Sequence, residues 1–310
     1  MELIRGIHNL RPQHQGCVAT IGAFDGVHRG HQAVLAALRE KGESLGLPTT
    51  VVLFEPLPRE FFAPMQAPPR LMSFREKFLA LKALGIDRVL RIRFDASCRD
   101  MEAEDFVQQV FIDGLAAKYI VVGDDLRFGH NRKGDFGLLQ RMGAKEGFEV
   151  SDTQTLIAAD DRVSSTRIRS ALQASDFALA EQLLGSPYAI SGRVMVGQQL
   201  GRTLGSPTAN VQLRRLQTAI TGVYAVRVAL ADGRVVNGVA NVGLRPTVGD
   251  LVKAILEVYI LDFNEDIYGQ NISVIFRHKI RDEKKFSSLE ELKEHIQKDI
   301  VAAKAYFTAQ

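Results

Sequence analysis

Two histidines three residues apart are the first chemistry in this chain. They close the string Gly22-Ala23-Phe24-Asp25-Gly26-Val27-His28-Arg29-Gly30-His31, which follows a β-branched run and precedes an apolar-periodic helical one. A helix N-terminus offers unpaired backbone N–H groups and the positive end of the helix dipole, so it favours a phosphate. Gly30, between the two imidazoles, lets a ligand approach the backbone closely, and the spacing sets His28 and His31 on one side of the helix start. An isolated pair of this kind also fits a capped helix with two exposed rings. The chain has neither G-x-x-x-x-G-K-[ST] nor G-x-G-x-x-G, however, so a nucleotide-binding fold needs another phosphate device, and this pair fits. With an ordinary pKa of about 6.5, either ring could meet phosphate as a cation or as a neutral N–H donor.

Three more strings in the first half carry chemistry. Arg162 to Arg169 reads RVSSTRIR, where the hydroxyls and N–H groups of Ser164, Ser165 and Thr166 suit β- and γ-phosphates and Arg169 adds a planar fork. GDDLRFGHNRKG, Gly123 to Gly134, follows a strand at the carboxyl edge of the sheet, where open α/β sheets take ligands, so Asp125 and Phe128 face that edge. FEPLPREFF, Phe54 to Phe62, also follows a strand and is rich in the proline and aromatic side chains that suit a flat apolar ring.

The second half opens on GRVMVGQQLGRTLGSPTAN, Gly192 to Asn210, whose glycine density suggests an arch close to a ligand. Farther on, Glu257 lies in a strand pattern, where a carboxylate can serve as a general base if a hydroxyl comes within hydrogen-bond reach.

The elements that position these groups change character along the chain. Up to about Leu184, short strand patterns (Cys17 to Ile21, Thr50 to Phe54, Arg88 to Phe94, Tyr119 to Val122, Phe148 to Val150) alternate with amphipathic stretches such as Phe74 to Leu84 and Glu102 to Leu115. That alternation predicts a parallel sheet covered by helices. Gly185-Ser186-Pro187 breaks the last helix, so the boundary is set there: a first domain over 1–185 and a second over 186–310. Val223 to Ala231, Val235 to Ala240, Lys253 to Leu261 and Ile272 to Lys279 read as antiparallel strands of a small barrel. A final helix is expected from Ser287, with Ser287 and Glu290 as a capping box and Leu289, Leu292, Ile296 and Ile300 on one face.

The composition of 46% hydrophobic and 24% charged residues is that of a globular protein. No apolar run reaches the roughly 18 residues of a membrane span, and the first ten residues lack the apolar core of a signal peptide, so a cytoplasmic protein is expected. Cys17 and Cys98 have no metal-type spacing and suggest no disulfide framework. A net charge of +3 suits anionic substrates but is far from the basic stripe of a nucleic-acid binder. Small-molecule partners are expected, without nucleic acid or membrane.

Taken together and in order, GAFDGVHRGH, GDDLRFGHNRKG, RVSSTRIR, the PTAN-ending string and GVANVGLRPTVG (Gly238 to Gly249) resemble the bacterial bifunctional riboflavin kinase/FMN adenylyltransferases over nearly the whole chain. The resemblance implies a Rossmann-like nucleotidylyltransferase domain followed by a riboflavin kinase β-barrel with a terminal helix. It implies that ATP phosphorylates riboflavin to FMN in the second domain and adenylylates FMN to FAD in the first. His28 and His31 are the implied catalytic pair of the first site, and Gly22, Phe24, Asp25, Gly30, Arg162, Ser164, Ser165, Thr166 and Arg169 its implied ATP ligands. Pro56, Pro58, Phe62, Phe106, Asp125 and Phe128 are its implied flavin wall. In the second, Gly192, Val194, Gly197, Gly201, Arg202 and Pro207 are implied around ATP. There Thr208 and Asn210 are implied on Mg²⁺, Glu257 as base, and Arg281 and Phe286 near the flavin. Two positions depart from the family: Leu126 where an aromatic residue is usual, and Tyr259 where histidine is common. Rival readings are an enzyme retaining one activity and a flavin- or nucleotide-binding regulator. Intact His28, His31, Thr208, Asn210 and Glu257 speak against the regulator.

Overall fold

Val18, Ala19, Thr20 and Ile21 are all buried, as expected of a strand covered on both faces in a parallel sheet. The computed structural model describes residues 1–123, 125–153, 157–158, 161–196, 207–246 and 252–310. By internal packing the chain divides into two units, Met1–Pro68 with Phe74–Ser164, and Pro69–Ser73 with Ser165–Gln310.

The first unit runs β1 (Glu2–Arg5), β2 (Val18–Ile21), α1 (Arg29–Leu45), β3 (Thr49–Glu55), α2 (Pro58–Phe62), α3 (Phe74–Ala83) and β4 (Arg88–Arg93). It continues with α4 (Ala96–Asp100), α5 (Ala103–Phe106), a π-helical run over Val107–Gly114, β5 (Tyr119–Gly123), α6 (Phe136–Glu146), β6 (Glu149–Thr153) and the short pair β7 (Ile157–Ala158) and β8 (Asp161–Arg162). Six strands form one parallel sheet in the order β1-β4-β3-β2-β5-β6. The edge strand β1 is an addition to the strands expected from sequence. It is four residues long and pairs with β4 through Glu2↔Arg88 to Arg5↔Arg91.

The second unit holds α7 (Ser165–Gln173), α8 (Phe177–Leu184), β9 (Ala189–Met195), β10 (Ala209–Val211), β11 (Gly222–Ala229), β12 (Val235–Pro246), β13 (Val252–Ile260), β14 (Asn271–Arg281) and α9 (Leu289–Thr308). Its strands close a barrel in the order β10-β13-β12-β11-β14-β9, with antiparallel pairing throughout. Gly185 ends α8 in the left-handed conformation at φ 82°, the usual role of a glycine helix stop. The segment Pro69–Ser73 is tied to this unit because buried Arg215 donates to the carbonyls of Arg70 and Leu71, at 3.2 and 3.1 Å.

The cap of α9 is displaced by one residue from its expected place. Ser288 is the N-cap and accepts from the Glu291 N–H at 3.1 Å, whereas Glu291 accepts from the N–H and hydroxyl of Ser287 and from Lys284. These donors, the Lys284 ammonium foremost, hold the Glu291 carboxyl down at about 2. Leu289 is consequently exposed in the first turn, and the packed face begins at Leu292.

Candidate active sites

The chain turns about at β2. From it the sheet grows through β3, β4 and β1 on one side, and through β5 and β6 on the other. The crevice outside the carboxyl ends of β2 and β5 is therefore the switch point where open sheets take ligands. The loop after β2 carries the histidine string, and the loop after β5 carries Asp125 and Phe128.

His28 is the N-cap of α1; buried, it accepts the backbone N–H of His31 on Nδ1 at 3.3 Å. With Nδ1 used as an acceptor, the neutral ring carries its proton on Nε2. The two imidazoles stack, centroids 3.6 Å apart and planes 18° from parallel, and the Phe24 ring lies 4.9 Å from His31. His31 Nδ1 is shielded and has no hydrogen-bond partner among the described residues. Desolvation, then the positive fields of His28 and Lys77, hold the His31 pKa well below 6.5. Of the two forms open at the sequence level, the neutral imidazole is therefore the one present near pH 7.

Gly30 has a reason other than ligand approach. A side-chain carbon there would stand 3.2 Å from the His28 ring and 3.5 Å from the Val163 carbonyl. A larger residue would crowd the His28 ring, and the Val163 carbonyl of the RVSSTRIR string lies close beside the histidine cap. Gly22 is similar, since a Cβ would meet the Phe24 ring at 3.0 Å. Phe24 and Val27 adopt φ of 47° and 41°. For a β-branched valine that region is a true outlier, costing roughly 1–3 kcal/mol. Asp25, between them, is buried.

Arg162, on β8, meets Asp125 at 2.8 Å. Ser164 ends the first unit, while Ser165, Thr166 and Arg169 belong to α7 in the second, where Arg169 Nε donates to the Pro69 carbonyl at 2.7 Å.

The expected flavin wall is a chain of ring contacts. Phe62 touches Phe94 (5.9 Å), Phe94 touches Phe54 (5.6 Å), Phe54 touches Phe106 (5.8 Å), and Phe106 touches Phe128 (5.7 Å). Its ends differ: Phe106 and Phe128 are buried core residues, whereas Phe62 is 63% exposed. Pro56 follows a cis peptide bond at Glu55, and Pro58 opens α2. Phe54 and Phe94, the links in this chain, are not among the wall residues expected from sequence.

In the barrel, residues of β13 alternate. Ala254, Leu256, Val258 and Ile260 are buried, while Glu257 and Tyr259 point the other way. A cavity of about 340 Å³ is lined by Val194, Pro207, Thr208, Val258, Phe263 and Tyr268, among others. A second of about 300 Å³ lies between the strands and α9 and is lined by Thr208, Asn241, Glu257, Tyr259, Arg281 and Phe286, among others. Thr208 lines both. Asn210 and Asn241 are the register partners of Glu257 on β10 and β12, so three polar side chains lie abreast across the sheet. Asp299 on α9 takes both arms of Arg281, each at 2.8 Å, and the Arg281 guanidinium stands 5.5 Å from the Phe286 ring. Asn241 and Asp299 are absent from the sequence expectations. Only strand register reveals the first, and only the fold of α9 onto the strands reveals the second. Gly192 has a packing reason, because a Cβ would strike the Gln212 carbonyl at 2.5 Å. Gly197, Gly201 and Arg202 lie outside the described residues.

The FAD synthetase family model matches residues 10–167, and the riboflavin kinase family model matches 184–307. A bifunctional riboflavin kinase/FMN adenylyltransferase of Pseudomonas fluorescens is 53% identical over 98% of this chain and 97% of its own length. That of Escherichia coli strain K12 is 50% identical over 99% and 98%. The chain belongs to the bifunctional riboflavin kinase/FMN adenylyltransferases. A solved structure described as a macrolide-efflux protein from Streptococcus pneumoniae superposes with a TM-score of 0.76 at 29% identity, covering 97% of this chain and 98% of that one. Among the described residues no helix is long and apolar enough to cross a membrane. Within this riboflavin kinase/FMN adenylyltransferase, Leu126 packs against the hydrophobic core of the first unit, and Tyr259 shares the cavity of Glu257.

Proposed function

We propose that this enzyme makes FMN from riboflavin at the barrel and FAD from FMN at the histidine crevice, with the residues in the following roles. The kinase assignment is carried by Thr208, which lines two cavities, so that a nucleotide in one and a flavin in the other meet at its hydroxyl. ATP takes the cavity of Val194 and Pro207, and riboflavin takes that of Arg281 and Phe286. Glu257 accepts the proton of the ribityl hydroxyl as its oxygen attacks the γ-phosphorus of ATP, and ADP leaves. The Thr208 hydroxyl and the Asn210 side-chain carbonyl, two residues apart, are hard oxygen donors of the kind Mg²⁺ takes alongside phosphates. Bound there, Mg²⁺ supplies positive charge to the phosphate oxygens. Asn241 sits opposite Glu257 and orients its carboxylate.

At the first site an FMN phosphate oxygen attacks the α-phosphorus of ATP and pyrophosphate leaves, so no covalent nucleophile is needed. Catalysis there consists of in-line placement and compensation of phosphate charge. His28 and the α1 N-terminus hold the phosphates, helped by Gly22, Phe24, Asp25 and neutral His31. Phe62, at the exposed end of the ring chain, takes the flavin with Pro56, Pro58 and Asp125, while Phe106 and Phe128 back that surface from the core. Arg162, Ser164, Ser165, Thr166 and Arg169 keep the nucleotide role that the family resemblance gives them. The closeness of the Val163 carbonyl to the histidine cap supports Arg162 and Ser164 in particular.

We take 1–185 as the adenylyltransferase domain and 186–310 as the kinase domain, in keeping with the two family matches and the glycine stop at Gly185, although by packing α7 and α8 belong with the barrel. A cytoplasmic location accords with the free thiols Cys17 and Cys98. The test is to incubate the protein with riboflavin, ATP and Mg²⁺ and to resolve riboflavin, FMN and FAD over time. His28→Ala should halt the products at FMN. Glu257→Ala should block FMN formation and leave supplied FMN convertible to FAD. Loss of both activities in either folded variant contradicts the two-site assignment.

A further inference from the structure

We infer that Lys77 is a positioning residue for adenylyl transfer, fixing the Ala23–Phe24 peptide and with it the loop that carries His28 and His31. The inference rests on the assignment of those histidines to ATP. Lysine is almost never fully buried, yet Lys77, in the middle of α3, is 1% exposed. Its ammonium donates to the Ala23 carbonyl at 2.5 Å, and a buried charge is retained only where such partners hold it.

The bond falls where the loop most needs holding. The Ala23 carbonyl belongs to the peptide leading into Phe24, whose φ of 47° is unfavourable and whose ring packs on His31. A charged donor clamped on that carbonyl fixes the plane from which the strained residue departs. The same ammonium, with the stacked His28, bears electrostatically on the His31 ring; these are the two titratable groups doing so among the described residues. Lys77 therefore shapes the loop and adds its field to the burial that keeps His31 a neutral imidazole.

Lys77→Met and Lys77→Gln separate the two effects, since glutamine restores an N–H donor without the charge. Lys77→Met should lower kcat/KM for FAD formation by roughly tenfold to a hundredfold, the effect of losing one charge-assisted hydrogen bond. FMN formation at the barrel should be unchanged. Lys77→Gln should recover part of the loss. In both variants NMR titration of His31 should give a higher pKa than in the parent, a readout that a purely structural lysine would not move. FAD formation by Lys77→Met within twofold of the parent overturns the inference. So does an unmoved His31 titration, whether in Lys77→Met or, should that variant fail to fold, in Lys77→Gln. His28→Ala is run in parallel, and only its retention of FAD formation would count against the ATP assignment itself.

Discussion

Asp125 and Arg162, from the loop after β5 and the short strand β8, meet at 2.8 Å with side chains 70% and 45% exposed. An ion pair so open to water adds little to stability, about 0–1 kcal/mol. Asp125→Asn should raise the KM for FMN roughly tenfold, as expected for one hydrogen bond to a charged group, with a melting temperature within about 2 °C of the parent. Steady-state FAD formation with FMN varied, beside a thermal melt, checks this.

His31 makes stability depend on pH in a definite direction. The unfolded chain protonates this ring near the ordinary 6.5, while the folded chain, with its pKa lowered, keeps it neutral to more acid pH. Below 6.5 the unfolded state thus binds more protons, and stability falls as pH falls, by up to about 1.4 kcal/mol per unit from this one group. Melts between pH 7.5 and 5.5 should show a shallower acid loss in His31→Asn than in the parent.

Phe62 and Phe106 stand near opposite ends of one chain of rings but should answer differently to truncation. Phe106→Ala empties a fully enclosed core position and should cost about 3–5 kcal/mol by denaturant titration. Phe62→Ala removes an exposed ring and should leave stability within about 0.5 kcal/mol. If Phe62 covers the flavin, it should nevertheless weaken FMN binding, measured by quenching of flavin fluorescence.

Asp299 is buried and holds both arms of Arg281. Asp299→Ala leaves that guanidinium without its carboxylate in a partly enclosed place and should destabilise the second unit by about 2 kcal/mol. The KM for riboflavin should rise with it, while conversion of supplied FMN to FAD continues.

The parallel sheet was legible because its central strands are continuous apolar runs between helices with clear stops. The barrel was less so. The run after Val235 contains glycines and a proline and reads as ending near Ala240, yet β12 continues to Pro246 because nine register pairs with β13, from Gly238↔Ile260 to Pro246↔Val252, hold it extended. β1 was missed because four residues with one buried member carry almost no periodic signal. Among site residues, His28, Thr208 and Glu257 stand in strings that announce them. Lys77 does not, since a lysine within an amphipathic pattern looks like part of a solvated face until the fold closes over it.

Thr208 borders two compartments with a single side chain. With nucleotide and flavin in the two cavities as proposed, a rotation of its hydroxyl that suits one guest changes what the neighbouring guest encounters, so their affinities should be coupled. Reciprocity would make the influence of nucleotide on flavin equal to that of flavin on nucleotide, and a substitution at this position should weaken that mutual dependence.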